Sequence, residues 1–390
     1  MGDASVISVA VITTSRADYS ILRPLIRALA DDPSFDAGLL VSGGHLDAAS
    51  GGTIAEVEKD GFPILVKVPL GTRKDTAVST SHQMANCIKG FADYFDQNQP
   101  DLLVALGDRY EMFAAVVASI PFNIPVAHIH GGELTYGAHD DNYRHALTKL
   151  SHLHFASTES YAQRITQMGE PAGRVYNVGA LSLDSIKSTT TLSKSDLFDR
   201  FNISWEEPPL VVTLHPETRS TLPANIFAKT FFSSLSKVDR TVIITHPNAD
   251  DGNAAIIKEA EAFKANYPKA FIVPNFGFQA YYSLLSYAAV MIGNSSSGIA
   301  EAQFFDLPVV NVGDRQKGRF RCANIIDVPL VEKEITKAIE RSMSPAFRDQ
   351  FQRLRNPYGD GTAARKITRI LKSIKDPKSL VIKQFLDQRM

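Results

Sequence analysis

The sequence predicts an α/β protein made of two doubly wound halves, each built on a mostly parallel sheet. Three observations predict it. Short, continuous, β-branched apolar runs recur along the chain, the pattern of strands buried on both faces. Each run gives way to a polar or glycine-bearing loop and then to apolar residues at helical spacing. The rhythm breaks at about residues 181–209 and then restarts.

The elements follow in order. V-I-S-V-A-V-I-T at 6–13 is the first strand; it ends in T-S-R-A-D-Y, after which Leu22, Leu25, Ile26 and Leu29 mark a helix. Residues 37–41 form a strand ending in S-G-G-H, and 64–68 another. Residues 102–106 run into G-D-R and a helix at 113–119. Residues 125–129 end in H-G-G-E, and 154–157 open a helix at 159–168. The break is Ser/Thr-rich, with one short amphipathic helix and a proline pair, and reads as a linker. Strands resume at 210–214 before H-P-E-T, at 241–245 before H-P-N, and at 271–273, with a helix from Tyr281. Residues 290–292 precede G-N-S-S-S-G and a helix at 299–304, and Val309 and Val310 form the last strand. The expected organisation is a Rossmann-like domain over 1–182, a linker over 183–208, a second Rossmann-like domain over 209–361, and a basic helical segment over 362–390. Two such halves imply a ligand cleft between them.

Composition narrows the partners. The 390 residues carry a formal net charge of -1, with 44% hydrophobic and 21% charged residues, ordinary for a soluble globular chain. Nucleic acid is not expected, because phosphate backbones call for a basic excess. Cys87 and Cys322 suggest neither a disulfide framework nor a zinc site. The N-terminus lacks a signal-peptide pattern, and no run of about 18 apolar residues suggests a membrane span, so a reducing cytoplasm is expected.

In open α/β sheets ligands bind at the carboxyl ends of strands, where loops meet helix N-termini. Here those positions hold Arg16, Asp18, His45, Asp108, Arg109, Glu133, His215, His246 and Asn294. The strongest local pattern is G-N-S-S-S-G at 293–298. Three hydroxyls (Ser295, Ser296, Ser297) and the flanking glycines, including Gly298, exceed what a helix cap needs and suit a phosphate or pyrophosphate. Glu301, a turn further on, can accept both ribose hydroxyls of a nucleotide. His215 and His246, the latter followed by Asn248, can hydrogen-bond phosphate. Arg16, Arg319 and Arg321 are candidate pyrophosphate clamps, since the guanidinium presents a fixed fork of donors. Phe278 in F-G-F-Q can stack on a base. In the first half, Asp108, Glu133, Asp140 and Asp141 are carboxylates suited to proton abstraction and donation, although Asp140 also fits a helix cap. His128 and His130 share a strand face, but no third ligand is evident, so no metal is expected. The chain has neither a G-x-G-x-x-G fingerprint nor a Walker loop, which leaves nucleotide sugars as the expected ligand class and no cofactor.

Read together, T-T-S-R-A-D-Y (13–19), S-G-G-H-L (42–46), G-D-R-Y-E (107–111), H-I-H-G-G-E (128–133), D-D-N-Y-R-H-A-L-T-K-L-S-H (140–152), H-P-E-T (215–218) and G-N-S-S-S-G-I-A-E (293–301) resemble the hydrolysing UDP-N-acetylglucosamine 2-epimerases. These serve sialic acid synthesis, and relatives act on a diacetamido-trideoxy UDP-sugar toward legionaminic acid. The resemblance implies a GT-B-type fold and a metal-free, NAD-free reaction. A base removes the C2 proton and UDP leaves, giving a 2-acetamidoglucal. Water then adds with inversion at C2 to release the free manno sugar. Carried over, Asp108, Glu133 and Asp140 are the acid/base carboxylates. His215 assists departure of the leaving group or holds the phosphate, while Arg16, Ser296, Ser297, Gly298 and Glu301 hold UDP. The chain departs from the non-hydrolysing and animal relatives in having His130 where they place a glutamate. Glu133 or His130 is therefore open for the second position, and Asp141 stands beside Asp140. A homodimer is the family expectation. The alternatives are a non-hydrolysing epimerase, whose usual string is H-V-E-A-G, a GT-B glycosyltransferase, and a non-catalytic UDP-sugar sensor.

Overall fold

The computed structural model of the chain describes residues 6–47, 52–71, 76–136, 139–217, 220–247, 252–352 and 354–387. It divides into two compact units. The first comprises the described residues of Met1–Glu133, His139–Lys187 and Pro357–Met390, the second those of Leu134–Ala138 and Ser188–Asn356.

The first unit alternates strands and helices in the order β1 (Ile7–Thr13), α1 (Arg16–Ala30), β2 (Phe35–Ser42), α2 (Ile54–Lys59), β3 (Ile64–Val68), α3 (Ala77–Gln97), β4 (Leu102–Leu106), α4 (Tyr110–Ser119), β5 (Val126–Ile129), α5 (Asp140–Leu150), β6 (Leu153–Ala156), α6 (Glu159–Gln167), β7 (Val175–Asn177) and α7 (Ser182–Ser188). Among the described residues its strands form one parallel sheet ordered β3-β2-β1-β4-β5-β6-β7. The order reverses at β1, which pairs with β2 on one side and β4 on the other. Central strands such as β4 and β5 are buried at every position, while the edge strand β3 alternates between half-buried and exposed until the buried Val68. That contrast follows from helices covering both faces of the centre.

The second unit continues with α8 (Lys194–Phe201), β8 (Leu210–Thr213), α9 (Ala224–Leu235), β9 (Val242–Thr245), α10 (Asn253–Asn266), β10 (Ala270–Ile272), α11 (Gly277–Tyr287), β11 (Val290–Gly293), α12 (Ser296–Ala300), β12 (Val309–Val312), β13 (Ile325–Val328), α13 (Glu332–Ser342) and α14 (Pro345–Arg348). Its parallel sheet is ordered β10-β9-β8-β11-β12-β13, and the order reverses at β8. The chain then contributes α15 (Ala363–Lys372) to the first unit, where Ala363, Ile367 and Leu371 join the core made by β1, β2, β4 and α1. Leu210, Val212, Phe231, Val290 and Val310 belong to a separate core in the second unit.

The two Rossmann-like parallel α/β units make up the expected GT-B-type fold class. Three local expectations need correction. Val309 and Val310 are not in the last strand: β13 follows and pairs with β12. It was hard to read because its I-I-D-V carries a charge and lies at the half-exposed edge. The segment after residue 181 holds two helices, α7 and α8, where one was expected; α8 is set by a capping box between Ser193 and Asp196. The helix expected at 299–304 is instead the short α12 followed by a 3-10 turn at Ala302–Phe305, stopped by Asp306 in the left-handed region. No described helix is long and apolar enough to cross a membrane.

Candidate active site

A doubly wound sheet opens a crevice at the carboxyl ends of its strands where the order reverses. In the first unit that point lies between β1 and β4. After β1, Asp18 turns back and accepts from the hydroxyls of Thr13 (2.5 Å), Thr14 (2.7 Å) and Ser15 (2.9 Å) and from the Thr14 amide. The Thr13 hydroxyl gives its one proton to that carboxylate, so it accepts from His45 Nε2 at 2.9 Å, and Nδ1 of the same ring accepts from Thr53 at 2.8 Å. His45 is fully buried, and burial holds its pKa below the ordinary imidazole value. It serves as a neutral brace for the β1 turn. Arg16, the first residue of α1, is exposed.

After β4 come Asp108 and Arg109. The Arg109 guanidinium donates to the nearly buried Glu111 at 3.2 and 3.3 Å, and Glu111 raises its pKa further, with Asp18 and Asp140 adding to the effect. Asp108 pairs with Arg144, which projects from α5 and is only 2% exposed. Arg144 also donates to the His130 carbonyl at 2.9 Å and lies 3.6 Å from Glu133. Glu133, 3% exposed, accepts from Ser157 at 2.7 Å and has His130 Nδ1 at 3.7 Å. His130 Nε2 accepts from the Leu181 amide at 3.2 Å. Its backbone sits at φ 63, a conformation that non-glycine residues adopt rarely and often near functional sites. Asp140 is exposed at the start of α5, and Asp141 lies 3.6 Å from His145. His128 is fully buried: Nε2 donates to the Gly107 carbonyl at 2.8 Å and Nδ1 faces Thr148 at 3.2 Å. Both ring nitrogens are committed, and burial pushes its pKa down to about 3.

In the second unit the reversal lies between β8 and β11. Gly293 ends β11 at φ 135, where a Cβ would overlap the Thr213 carbonyl of β8. Asn294, fully buried, accepts from the His215 amide at 2.7 Å and donates to the His215 carbonyl at 2.9 Å, so its side chain fixes the backbone of the loop after β8. The Asn294 carbonyl accepts from Arg315 and Gln316 at 3.3 and 2.9 Å. Burial, with Arg315 beside it, pushes the His215 imidazole down to about 3, leaving an uncharged ring at neutral pH. Ser295 caps α12, and Ser297 donates to Glu301 at 2.5 Å. Tyr281, pushed up to about 12 by burial, lies beside Ser297 and Thr213, and Tyr282 reaches Glu301 at 3.5 Å. Ser296 is exposed.

The UDP-N-acetylglucosamine 2-epimerase family profile matches residues 27–372. The chain belongs to that family. It is 36% identical over 378 residues to the polysialic acid biosynthesis protein P7 of Escherichia coli, covering 96% of each chain. It is also 36% identical to the GDP/UDP-N,N'-diacetylbacillosamine 2-epimerase (hydrolyzing) of Campylobacter jejuni, covering 87% of this chain and 88% of that one. Among solved structures it shares the fold of the UDP-GlcNAc 2-epimerase of Neisseria meningitidis, determined with UDP-GlcNAc bound, at TM-score 0.78 and 18% identity over 94% of this chain and 99% of that one.

For an epimerase-family chain, the expected residues fall into three groups. In the first unit Asp108, Glu133, His130 and Asp140 converge on the Arg144 and Arg109 region. In the second unit His215, Ser295, Ser296, Ser297, Gly298 and Glu301 share one strand-end region, with Phe278, 39% exposed, edge-on to Tyr282 at a centroid distance of 6.4 Å. The remainder lie elsewhere or in supporting roles. Arg321 Nε donates to Asp327 and Nη1 to the carbonyls of Gln316 and Arg319, and Arg319 reaches Thr135 at 3.3 Å. His246 follows β9 with Nε2 buried and without a hydrogen-bond partner among the described residues. Asn248 lies outside the described residues.

Sequence reasoning missed Arg144, Glu111, Arg315 and Gln316. Arg144 had one readable signal: it stands four residues after Asp140, on the same helix face, in a chain with two strand-end carboxylates needing a cation. Arg315 and Gln316 lie in a loop whose position is set by Glu217, which accepts from the Asp314 and Arg315 amides at 2.7 and 3.0 Å; nothing local encodes that contact.

Proposed function

We propose that the chain is a hydrolysing UDP-sugar 2-epimerase that converts UDP-N-acetylglucosamine and water to UDP and N-acetylmannosamine. The observation that carries the reading is the Asp108–Arg144–Glu133 cluster at the carboxyl ends of β4 and β5. A C2 proton of an amino sugar is only weakly acidic, so its removal must be coupled to departure of the C1 substituent. The C2–H pair becomes the C1=C2 bond while the C1–O bond breaks and UDP takes its electrons. The carboxylate that receives the proton must be accessible and held still. Asp108 meets both conditions, with its side chain 21% exposed and one oxygen gripped by Arg144. Glu133 is too enclosed to reach a sugar and acts as the counter-charge that fixes Arg144. His130 orients that pair, and the exposed Asp140 is the second proton-transfer group: it gives its proton to C2 on the opposite face as water adds its oxygen to C1, the water's released proton recharges Asp140, and Asp108 loses the C2 proton to solvent.

The Asn294–Glu301 turn is assigned to UDP. Ser296, the Ser295 hydroxyl and nearby amides offer donors to the diphosphate, and Glu301, already fixed by Ser297, accepts from the ribose. Uncharged His215 donates to a phosphate oxygen rather than supplying a full positive charge. As written, the reaction balances with no metal or redox cofactor.

A second reading is favoured by the Campylobacter relative's name: the substrate is then a UDP-2,4-diacetamido-2,4,6-trideoxyglucose. Proton NMR in heavy water with each sugar separates these. Release of UDP with a free 2-epimer carrying deuterium at C2 supports the mechanism, and the faster sugar names the substrate. Intact UDP-ManNAc as product would replace hydrolysis by simple epimerisation. Tight binding of both sugars without turnover would leave a sensor.

A further inference from the structure

Beyond α15 the chain makes a short 3-10 turn at Pro377–Val381 and lies along the first unit. Arg174 donates to the carbonyls of Leu380 (2.6 Å) and Ile382 (3.0 Å), and the Leu386 amide donates to the Gly169 carbonyl at 3.0 Å. Apolar burial explains only the start of this docking: Leu380 packs against the core, whereas Ile382 is 82% and Phe385 66% exposed. What the tail buries is a charge. The Lys383 side chain is 16% exposed, and its ammonium donates to the carbonyls of Lys149 and Ser151, both at 2.7 Å, and to Glu170 at 3.1 Å. An ammonium has three protons, and these acceptors use all of them. Glu170 is itself fully buried and also receives Lys149 at 2.5 Å and His154 at 3.0 Å.

Burying an ammonium is costly unless its partners are fixed. Here two of the partners are carbonyls at the C-terminal end of α5, where a helix leaves acceptors unsatisfied and carries partial negative charge. The same helix bears Asp140 and Arg144. It also bears Thr148, which meets His128, the ring that holds the Gly107 carbonyl next to Asp108. Its N-cap residue, His139, makes no side-chain cap bond.

We propose that Lys383 is a positioning residue for the reaction proposed above: the tail caps the C-terminal end of α5 and thereby fixes the Arg144–Asp108 pair. The proposal rests on that reading for its catalytic consequence, while its structural core, restraint of α5, stands on the contacts alone.

The test compares wild type, Lys383→Met and Lys383→Arg in the full chain by kcat, KM and melting temperature, with amide hydrogen exchange over residues 140–150. For Lys383→Met the expected result is a kcat loss of tenfold or more well below its melting temperature, KM within threefold, and at least tenfold faster exchange in α5. Lys383→Arg, which keeps a charge and donors, recovers most of both. A lowered melting temperature with kcat within twofold of wild type would reduce Lys383 to a stabilising contact and overturn the proposal. Should Lys383→Met not fold, Lys383→Arg decides: less than a tenth of wild-type kcat with unchanged α5 exchange is incompatible with positioning. Should wild type turn over no UDP-sugar, the proposed function fails, and α5 exchange alone then judges the latch, unchanged rates in Lys383→Met sinking it.

Discussion

Arg144 sits between two carboxylates that differ in what they can do. Asp108 is partly open, whereas Glu133 is enclosed by Ser157, Arg144 and His130. Removing the guanidinium leaves Glu133 as a buried charge without its main counter-charge, which typically costs about 3–5 kcal/mol. Arg144→Met is therefore expected to lower stability by about that amount in denaturant unfolding and to cut kcat at least a hundredfold. A variant with wild-type kcat would remove the cluster from the mechanism. Asp108→Asn keeps shape and removes the base. Its kcat is expected to drop by about 10²–10⁴-fold, the usual contribution of general acid–base catalysis, with calorimetric UDP affinity within a few-fold because the assigned UDP contacts come from His215 and residues 294–301. The candidate carboxylates were legible because they follow strand ends. Their division of labour was not, because it depends on enclosure by Ser157 and Arg144.

The elements are held by devices that act over a few residues. Gly293 lets β11 turn beside β8, and a methyl group there meets the Thr213 carbonyl in a conformation already unfavourable to L-residues. Gly293→Ala is expected to destabilise the second unit by several kcal/mol, read as faster amide exchange in β8 and β11 with β1 and β4 little changed. In the first unit the β5–β6 region buries uncharged histidines: burial lowers His128 to about 3 and His152 to about 4. Such a ring binds a proton more readily unfolded than folded. Stability is therefore intact above the unfolded value near 6.5 and is lost as pH falls toward the folded value, at up to about 1.4 kcal/mol per pH unit for each ring. Glu170, despite burial, is held down to about 2 by His154, Lys149 and Lys383, and its contribution is lost between about pH 4.5 and 2. Denaturant midpoints for the first unit are expected to fall steadily from pH 6.5 to 4. A flat profile over that range would contradict the neutral-histidine assignment.

At the scale of the whole molecule, each unit has its own core, and the chain returns to the first unit after completing the second. Ile367 and Leu371 of α15 are 0% and 1% exposed in the core built by β1, β2 and α1. Ile367→Ala is expected to cost about 2–5 kcal/mol, the range for truncating a fully buried aliphatic residue. The loss should fall on the exchange of β1 and β4 amides, far from Ile367 in sequence, and leave β8 and β11 unchanged. The reverse distribution would mean that α15 belongs to the second core.

The sequence by itself determined that there are two parallel α/β units, where their central strands lie, and which loops carry polar chemistry. Continuous β-branched runs are stable only with both faces covered, and strand ends in such sheets are where backbone donors and side chains face outward. Its strings also determined the family. Only the tertiary structure decided that β13 closes the second sheet, that α15 returns to the first core, and that His45 and His128 are internal braces. It likewise decided that Arg144 joins Asp108 to Glu133 and that Lys383 donates to carbonyls at the end of α5. These are contacts between residues distant in sequence, in which a buried charge or polar group takes whichever partner the packing brings within reach. The energy of such a contact comes from desolvation at the assembled site, and local spacing carries no record of it.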